Sequence, residues 1–243
     1  MSTTVAAIRS IAAYLIVSLY VAVLAPIGIG LAILFRWPGV LYILGQGGIA
    51  LAAGLVGIRV RVAGRNNLRA DQAVVFCANH QSNIDPPILF NTLHPRLHVL
   101  FKAELKKLPL LGKVFLVGGF VPIDRTSREQ SRAAIEEAAK SLREGNSFLT
   151  FPEGTRSRTG ALLPFKRGPF LMALKAQVPV VAVAVQGGTA SMRKGSWIVR
   201  PATVTVRIAE PVDTRGMDLS QREGLAHQVR AKVEELLARG PLQ

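Results

Sequence analysis

The first 58 residues contain almost no charge, and this constrains the fold more than any other feature of the chain. Residues 10–35 form an uncharged stretch of 26 residues, and residues 38–58 form a second one of 21. About 20 apolar residues suffice for a helix to cross the hydrocarbon core of a bilayer. Only Arg36 and Trp37 separate the two stretches. The sequence therefore predicts a membrane-associated helical hairpin over residues 1–58 and a separate domain over residues 59–243.

Two arrangements of this hairpin are open: it crosses the bilayer, or it enters one leaflet and returns. Pro26 weakens the first helix, and the turn at Arg36 and Trp37 is short for a loop on the far side, which favours the shallow, re-entrant arrangement. Arg9 precedes the pair and four arginines follow it within residues 59–69, so both ends are expected to face the cytoplasm. A helical hairpin buried inside a soluble protein is the third alternative.

The charge lies almost entirely in the second part of the chain. The protein has 30 Lys and Arg against 15 Asp and Glu, and residues 59–243 carry 28 − 15 = +13. Such a surface attracts nucleic acid, an anionic leaflet or a phosphorylated substrate. The single cysteine, Cys77, excludes an internal disulfide and offers no metal-binding pattern. We expect no metal and no cofactor.

From Arg59 onwards, short apolar segments alternate with amphipathic ones, which predicts an α/β layered domain. Helices are predicted to begin at Ser127, which has capping-box spacing to Gln130, and to cover residues 168–175 and 220–239. The predicted strands are residues 60–63, 73–78, 98–101, 117–123, 147–151, 180–185 and 204–209.

A polar stretch, residues 79–85, follows the apolar strand at residues 73–78. Pro86 and Pro87 come next, and proline is tolerated in the first turn of a helix, so Asp85 is predicted to be the N-cap of a helix. His80 and Asp85 would then lie on a loop between a strand and a helix, where α/β enzymes often collect their chemistry.

His80 and Asp85 are candidates for a general base and its orienting carboxylate. Histidine has an ordinary pKa of about 6.5, which suits proton transfer near neutral pH. On a continuous helix, five residues of separation would place the two side chains about 140° apart, so they can meet only if the chain turns between them. In the alternative interpretation, His80 ends the strand and Asp85 caps the helix. The spacing alone leaves both open.

A second candidate site, residues 151–157, again follows a predicted strand. Gly154 allows close approach of a ligand to the backbone, and Arg156 offers a guanidinium group matched to phosphate oxygens. Glu153 is predicted to orient Arg156 or a backbone turn. The alternative is a solvated, charged turn. Three further basic residues extend the positive field: Arg158, Lys166 and Arg167.

Four sequence blocks, in this order, resemble the glycerolipid acyltransferase family, most closely its bacterial lysophosphatidate (1-acyl-sn-glycerol-3-phosphate) acyltransferases. The first is N-H-x4-D at residues 79–85, and the third is F-P-E-G-T-R-S at residues 151–157. The second, G-x-x-x-x-x-R, keeps Gly119 and Arg125. The fourth is a V-P-apolar strand with Ala182 where a proline is common. The resemblance covers about residues 60–210.

The resemblance implies an O-acyltransferase with a central mixed sheet flanked by helices. His80, oriented by Asp85, would take the proton from the free hydroxyl of 1-acyl-glycerol-3-phosphate. That hydroxyl would attack the thioester of acyl-CoA or acyl carrier protein directly and give phosphatidic acid. The residues implied in binding the glycerol phosphate are Arg125, Glu153, Gly154, Thr155, Arg156 and, as a weaker candidate, Lys102.

The expected partners are a lysophosphatidic acid substrate in the membrane, the acyl donor and an anionic membrane surface, with no nucleic acid. The expected location is a bacterial inner membrane, with the catalytic domain facing the cytoplasm. Another acceptor is the first alternative: a lyso-ornithine lipid, glycerol-3-phosphate or another lysophospholipid. A non-catalytic protein that binds anionic lipid is the second. A covalent route through Cys77 is disfavoured, because Cys77 lies in an apolar run typical of a buried thiol.

Overall fold

The computed structural model describes residues 2–93, 97–124, 126–157 and 159–242, and within them seven strands form one sheet. The order across the sheet is β1-β7-β6-β2-β5-β3-β4. Strands β6 to β4 in this order run parallel, β7 is antiparallel to β6, and β1 is parallel to β7. The predicted mixed sheet is therefore confirmed. In chain order the strands are β1 (Ile58–Ala63), β2 (Val75–Ala78), β3 (Leu97–Lys102), β4 (Val121–Ile123), β5 (Ser147–Thr150), β6 (Val180–Gln186) and β7 (Ala202–Ile208).

Helices cover both faces of this sheet. The described residues form α1 (Thr3–Leu34), α2 (Gly39–Val56), α3 (Asp85–Thr92), α4 (Leu111–Val117), α5 (Arg128–Arg143), α6 (Gly168–Ala176), α7 (Gly188–Ser191) and α8 (Arg222–Ala238). One core lies between the sheet and helices α5, α6 and α8, and a second lies between the sheet and helices α1, α2 and α3. The helix predicted from Ser127 is confirmed, because the Ser127 side chain accepts a hydrogen bond from the Gln130 N–H at 3.2 Å.

One predicted strand is too long. Residues 117–123 were expected to be extended, but only Val121–Ile123 are, and Val117 ends helix α4. Gly118 terminates that helix and Gly119, with φ of +82°, turns the chain into β4. An apolar residue such as Val117 suits a buried strand or a buried helix equally, so the pattern at residues 117–120 does not separate the two.

Helices α1 and α2 form an antiparallel hairpin whose contacts use small residues. Gly28 packs on Leu41 and Leu44, and Tyr20 packs on Gly47 and Gly48. Close helix contact of this kind is typical where small side chains let two backbones approach. Helix α1 runs unbroken through Pro26, so the weakening expected there does not interrupt it.

The hairpin lies along one face of the domain. The Ser10 hydroxyl, near the start of α1, accepts from the Val199 N–H at 2.9 Å; its single proton points to the Ala6 carbonyl at 2.7 Å, and the Val199 carbonyl lies 3.2 Å away. Ala32, near the end of the same helix, packs in a cluster with Val117 of α4. At 1.5 Å per residue these two contacts lie about 33 Å apart along α1. Strand β1 begins directly after the hairpin, at Ile58, and the domain boundary at residue 58 stays a prediction.

The outward face of the hairpin is apolar and exposed. Both helices are long and apolar enough to cross a membrane, and only 11% and 17% of their most apolar windows are buried. The exposed large side chains of α1 include Ile8, Leu15, Leu19, Val23, Ile27, Ile33 and Leu34. Such a surface is incompatible with the core helix of a soluble protein and indicates association with a membrane.

Candidate active site

The two predicted site loops meet at one edge of the sheet. Strands β2 and β5 are parallel neighbours, with Cys77 opposite Thr150. The loop at residues 79–84 follows β2, and the loop that begins at Phe151 follows β5. Because carboxyl ends of parallel strands share an edge, both loops lie on the same side. The two loops are also bonded to each other, since the Ser157 N–H donates to the His80 carbonyl at 2.8 Å.

His80 and Asp85 contact each other. The His80 Nδ1 lies 3.1 Å from the Asp85 Oδ2, and the Asp85 side chain is only 1% exposed. A carboxylate only accepts hydrogen bonds, so the neutral imidazole tautomer that fits this contact is the one with its proton on Nδ1 and its lone pair on Nε2. The His80 ring also stacks on Phe151, with centroids 4.2 Å apart. The arrangement orients one imidazole nitrogen and leaves the other able to accept a proton.

The prediction that Asp85 is an N-cap is wrong. Ile84 occupies the N-cap position of α3, and Asp85 is the first helical residue. Its carboxylate turns back to the preceding loop, where Oδ2 accepts from the N–H groups of Gln81 and Ser82, both at 2.7 Å. This loop reverses the chain, which is how side chains five residues apart come together. The carboxylate also lies at the positive end of a helix, which stabilises its charge.

The second oxygen of Asp85 packs against a glycine from another part of the chain. Oδ1 is buried and has no hydrogen-bond partner among the described residues. A Cβ placed on Gly188, the first residue of α7, would lie 2.4 Å from this oxygen and 3.0 Å from the Ser82 Cβ. Only glycine therefore fits here. Sequence reasoning missed this contact, although the Gly187-Gly188 pair directly after β6 was an available signal.

Glu153 joins backbone segments. Its Oε1 accepts from the His80 N–H at 2.7 Å, and its Oε2 accepts from the Leu163 N–H at 2.9 Å. The side chain is buried, and burial raises the pKa of this carboxyl above its ordinary value. Of the two roles predicted for Glu153, orienting a backbone turn is the one these hydrogen bonds perform. Its place in the substrate-binding set stays a prediction.

The turn at residues 154–156 is more exposed and is flanked by lysines. Gly154 has φ of +72°, and the Lys166 Nζ would lie 2.8 Å from a Cβ placed on it. Lys194 donates from Nζ to the Arg156 carbonyl at 2.7 Å and reaches the Thr155 hydroxyl at 3.5 Å. Successive turn N–H groups beside cations suit an anion. Lys194 was not predicted, since it belongs to none of the four sequence blocks.

Of the two remaining predicted binding residues, the structure describes only Lys102. Lys102 ends β3 at the same sheet edge, but its ammonium pairs with the Glu104 carboxylate at 3.0 Å and is largely exposed. Arg125 lies outside the described residues, although β4 ends two residues before it. The binding roles of both stay predictions.

Cys77 is unsuited to covalent chemistry. Its side chain is fully buried in β2, with Sγ 3.5 Å from the Thr150 hydroxyl. Burial raises the pKa of this thiol to about 12, so the nucleophilic thiolate is not formed near neutral pH. The prediction of a buried thiol is confirmed.

Comparisons with known proteins fit this geometry. The acyltransferase family model matches residues 59–186. A 1-acyl-sn-glycerol-3-phosphate acyltransferase from Limnanthes douglasii is 32% identical over 192 residues, which cover 77% of this chain and 68% of that protein. The mouse 1-acyl-sn-glycerol-3-phosphate acyltransferase alpha is 33% identical over 178 residues, which cover 72% of this chain and 62% of that protein.

A solved structure is similar over nearly the whole chain. The crystal structure of the 1-acyl-sn-glycerophosphate (LPA) acyltransferase PlsC from Thermotoga maritima superposes with a TM-score of 0.80 at 27% identity. The match covers 97% of this chain and 99% of that one, so it includes the hairpin. Because the family model covers more than half of the chain and includes both site loops, this chain belongs to the acyltransferase family.

Proposed function

We propose that this acyltransferase transfers an acyl chain from acyl-CoA or acyl carrier protein to the free hydroxyl of 1-acyl-glycerol-3-phosphate, giving phosphatidic acid. The main observation in support is the 3.1 Å contact between His80 and the buried Asp85, next to a turn flanked by cations. Relatives named 1-acyl-sn-glycerol-3-phosphate acyltransferase support the choice of acceptor.

In the proposed step, His80 Nε2 takes the proton from the acceptor hydroxyl. The hydroxyl oxygen bonds to the thioester carbon, the C–S bond breaks, and the proton passes to the leaving thiolate. Asp85 keeps the imidazole in one tautomer and stabilises its charged form. A base of this kind contributes roughly 10²–10⁴-fold in rate. Direct attack is favoured over an acyl-enzyme because Cys77 is buried and protonated.

The charge around the second loop favours an acceptor that carries phosphate. Arg156, Lys166 and Lys194 all belong to or contact the turn at residues 154–156. A lyso-ornithine lipid has no phosphate for these cations to bind, so it is the weaker alternative. Glycerol-3-phosphate and other lysophospholipids do carry phosphate and remain competitors. Membership of an enzyme family favours catalysis over the non-catalytic alternative.

The hairpin contacts favour the re-entrant arrangement. Since α1 contacts the domain both at Ser10 and at Ala32, the hairpin cannot project away from the domain to cross the bilayer without losing one of these contacts. We propose that its exposed face lies in one leaflet. A bacterial inner membrane, with the catalytic domain on the cytoplasmic side, is the location we propose for it.

A product assay on the full purified chain tests the reaction. The protein is offered lysophosphatidate, glycerol-3-phosphate, lysophosphatidylethanolamine and a lyso-ornithine lipid, each with acyl-CoA and with acyl carrier protein as the acyl donor. Products are identified by mass spectrometry. We expect phosphatidic acid from lysophosphatidate, and none from this acceptor with either donor would reject the proposal.

The same assay tests the proposed base. His80→Ala should lower kcat by roughly 10²–10⁴-fold, because no other group accepts the hydroxyl proton. His227→Ala is the matched control, since His227 is exposed on α8 at the other face of the sheet. Equal activity of the His80 variant and this control would contradict the mechanism.

A further inference from the structure

The connection between β3 and β4 presents apolar side chains to solvent. It consists of a 3₁₀ helix, Ala103–Lys107, followed by helix α4. Leu105, Leu108 and Leu116 are 36%, 43% and 48% exposed. Single exposed leucines are ordinary, but three on one short connection form an apolar patch, and such patches often mark an interaction site.

The same connection carries unneutralised positive charge. Lys106, Lys107 and Lys113 are exposed, and none of them has an ion-pair partner among the described residues. The acid of this segment, Glu104, is paired with Lys102. Lys113 and Leu116 are three residues apart on α4 and therefore lie on the same side of that helix. The surface thus alternates leucine and lysine.

This surface is joined rigidly to the hairpin. A Cβ on Gly112 would lie 2.3 Å from the Lys106 carbonyl oxygen, so the 3₁₀ helix packs directly on α4. At the end of α4, Val117 packs against Ala32, and the Tyr42 hydroxyl donates to the Gly118 carbonyl at 3.0 Å. The leucine and lysine surface is therefore held directly beside the apolar hairpin.

We propose that residues 104–116 form a second membrane-contact surface, which binds anionic lipid next to the hairpin. The leucines enter the boundary between headgroups and acyl chains, and the lysines bind the negative headgroups. An acidic protein, such as an acyl carrier protein, would suit the lysines, but the position beside the apolar hairpin favours lipid. The surface begins at the sheet edge where His80 lies, so lipid contact there brings the site towards its substrate.

Fluorescent probes on the full chain in vesicles test this contact. Leu108→Cys and Leu116→Cys are each labelled with an environment-sensitive dye, and Leu219→Cys, exposed on the other side of the sheet, is the control. The native Cys77 is fully buried and stays in place. In vesicles of phosphatidylcholine and phosphatidylglycerol, a lipid-bound quencher should quench the probes at 108 and 116 but not at 219. Equal, weak quenching at all three positions would overturn the proposal.

Charge reversal tests the part played by the lysines. The triple variant Lys106→Glu, Lys107→Glu, Lys113→Glu should weaken lipid contact by roughly fivefold per lysine, which reduces quenching at 116. Lys140→Glu, exposed on α5, should leave it unchanged. Undiminished quenching at position 116 in the triple variant would contradict an anionic-lipid surface. So would quenching of the unsubstituted lysine surface that is lost only when acyl carrier protein is added. This readout does not depend on turnover, so it stands apart from the proposed reaction.

Discussion

The two loops at the sheet edge are held in different ways. The His80 loop is bonded from several directions around the buried Asp85, whose Oδ2 alone makes three contacts of 2.7–3.1 Å. The turn at residues 154–156 is more exposed, and a lysine side chain, Lys194, bonds its far end. His80, the proposed base, is therefore held by several contacts, whereas the turn at residues 154–156, the proposed anion site, is more open to solvent.

The two loops correspond to two parts of the proposed reaction: proton transfer, which is the same for every acceptor, and headgroup binding, which differs between acceptors. Proton transfer needs the same geometry for every acceptor hydroxyl, so a rigid dyad serves all of them. Headgroups differ in size and charge, and we propose that the more exposed turn at residues 154–156 contacts them. Substitutions on the His80 side should therefore change kcat, and substitutions on the 154–156 side should change KM.

The largest effect on kcat is expected at the His80 loop. Asp85→Asn should lower kcat by roughly 10³–10⁴-fold, because an amide can donate to Nδ1 and so stabilise the wrong imidazole tautomer. Initial rates with saturating lysophosphatidate measure it. Asp71→Asn, an exposed carboxylate paired with Arg69, is the control and should be silent. A tenfold loss or less in the Asp85 variant would show that the dyad is not what limits the rate.

Gly188→Ala should have the second-largest effect, a loss of kcat of roughly 10²-fold with little change in KM. The new methyl group would meet Asp85 Oδ1 at 2.4 Å and push the carboxylate off His80. Gly224→Ala, on α8 with open space around it, is the matched control. Thermal unfolding shows whether the variant stays folded. A folded Gly188 variant with normal kcat would refute this role.

At the turn formed by residues 154–156, Lys194→Met should raise KM for the phosphate-bearing acceptor by about tenfold and change kcat little. It removes a charged hydrogen bond of 2.7 Å to the turn, and such bonds contribute about 1.5–3 kcal/mol before solvent screening reduces them. Lys140→Met is the control. If kcat fell instead and KM held, the division between the two loops would be wrong.

The smallest effect is expected at Cys77, which lies under both loops. Cys77→Ala should change kcat by less than about twofold and cost about 1 kcal/mol of stability, because it removes one buried sulfur atom. Steady-state rates and urea unfolding measure the two quantities. Complete loss of turnover in a folded variant would restore the covalent route.

Features that depend on the local pattern of apolar and polar residues could be predicted from the sequence. All predicted strands are present, and His80 and Asp85 do meet. The pattern failed at residues 117–120, which were predicted as part of a strand: Val117 ends a helix, and Gly118 and Gly119 turn the chain. It also failed for Asp85, whose carboxylate binds the loop before it and not the helix after it.

Long-range contacts lay beyond the sequence. Gly188 and Lys194 follow β6, and they reach the site only because β6 pairs with β2 in parallel. The Gly187-Gly188 pair marks a turn after β6, but neither this pair nor the residues near Lys194 show which strand lies beside β6. Sheet order had to be known first, and the strand pattern does not give it.

The contact between Ser10 and Val199 has a consequence for synthesis. The two residues are 189 positions apart, and among the described strands β1 likewise has a single neighbour, β7, near the other end of the domain. At about 5–20 residues per second, the ribosome needs roughly 10–40 s to make the segment between them. During that time the emerging hairpin has no protein surface to cover it. The lipid bilayer is then its first folding partner, and the finished domain docks onto helices that are already in place.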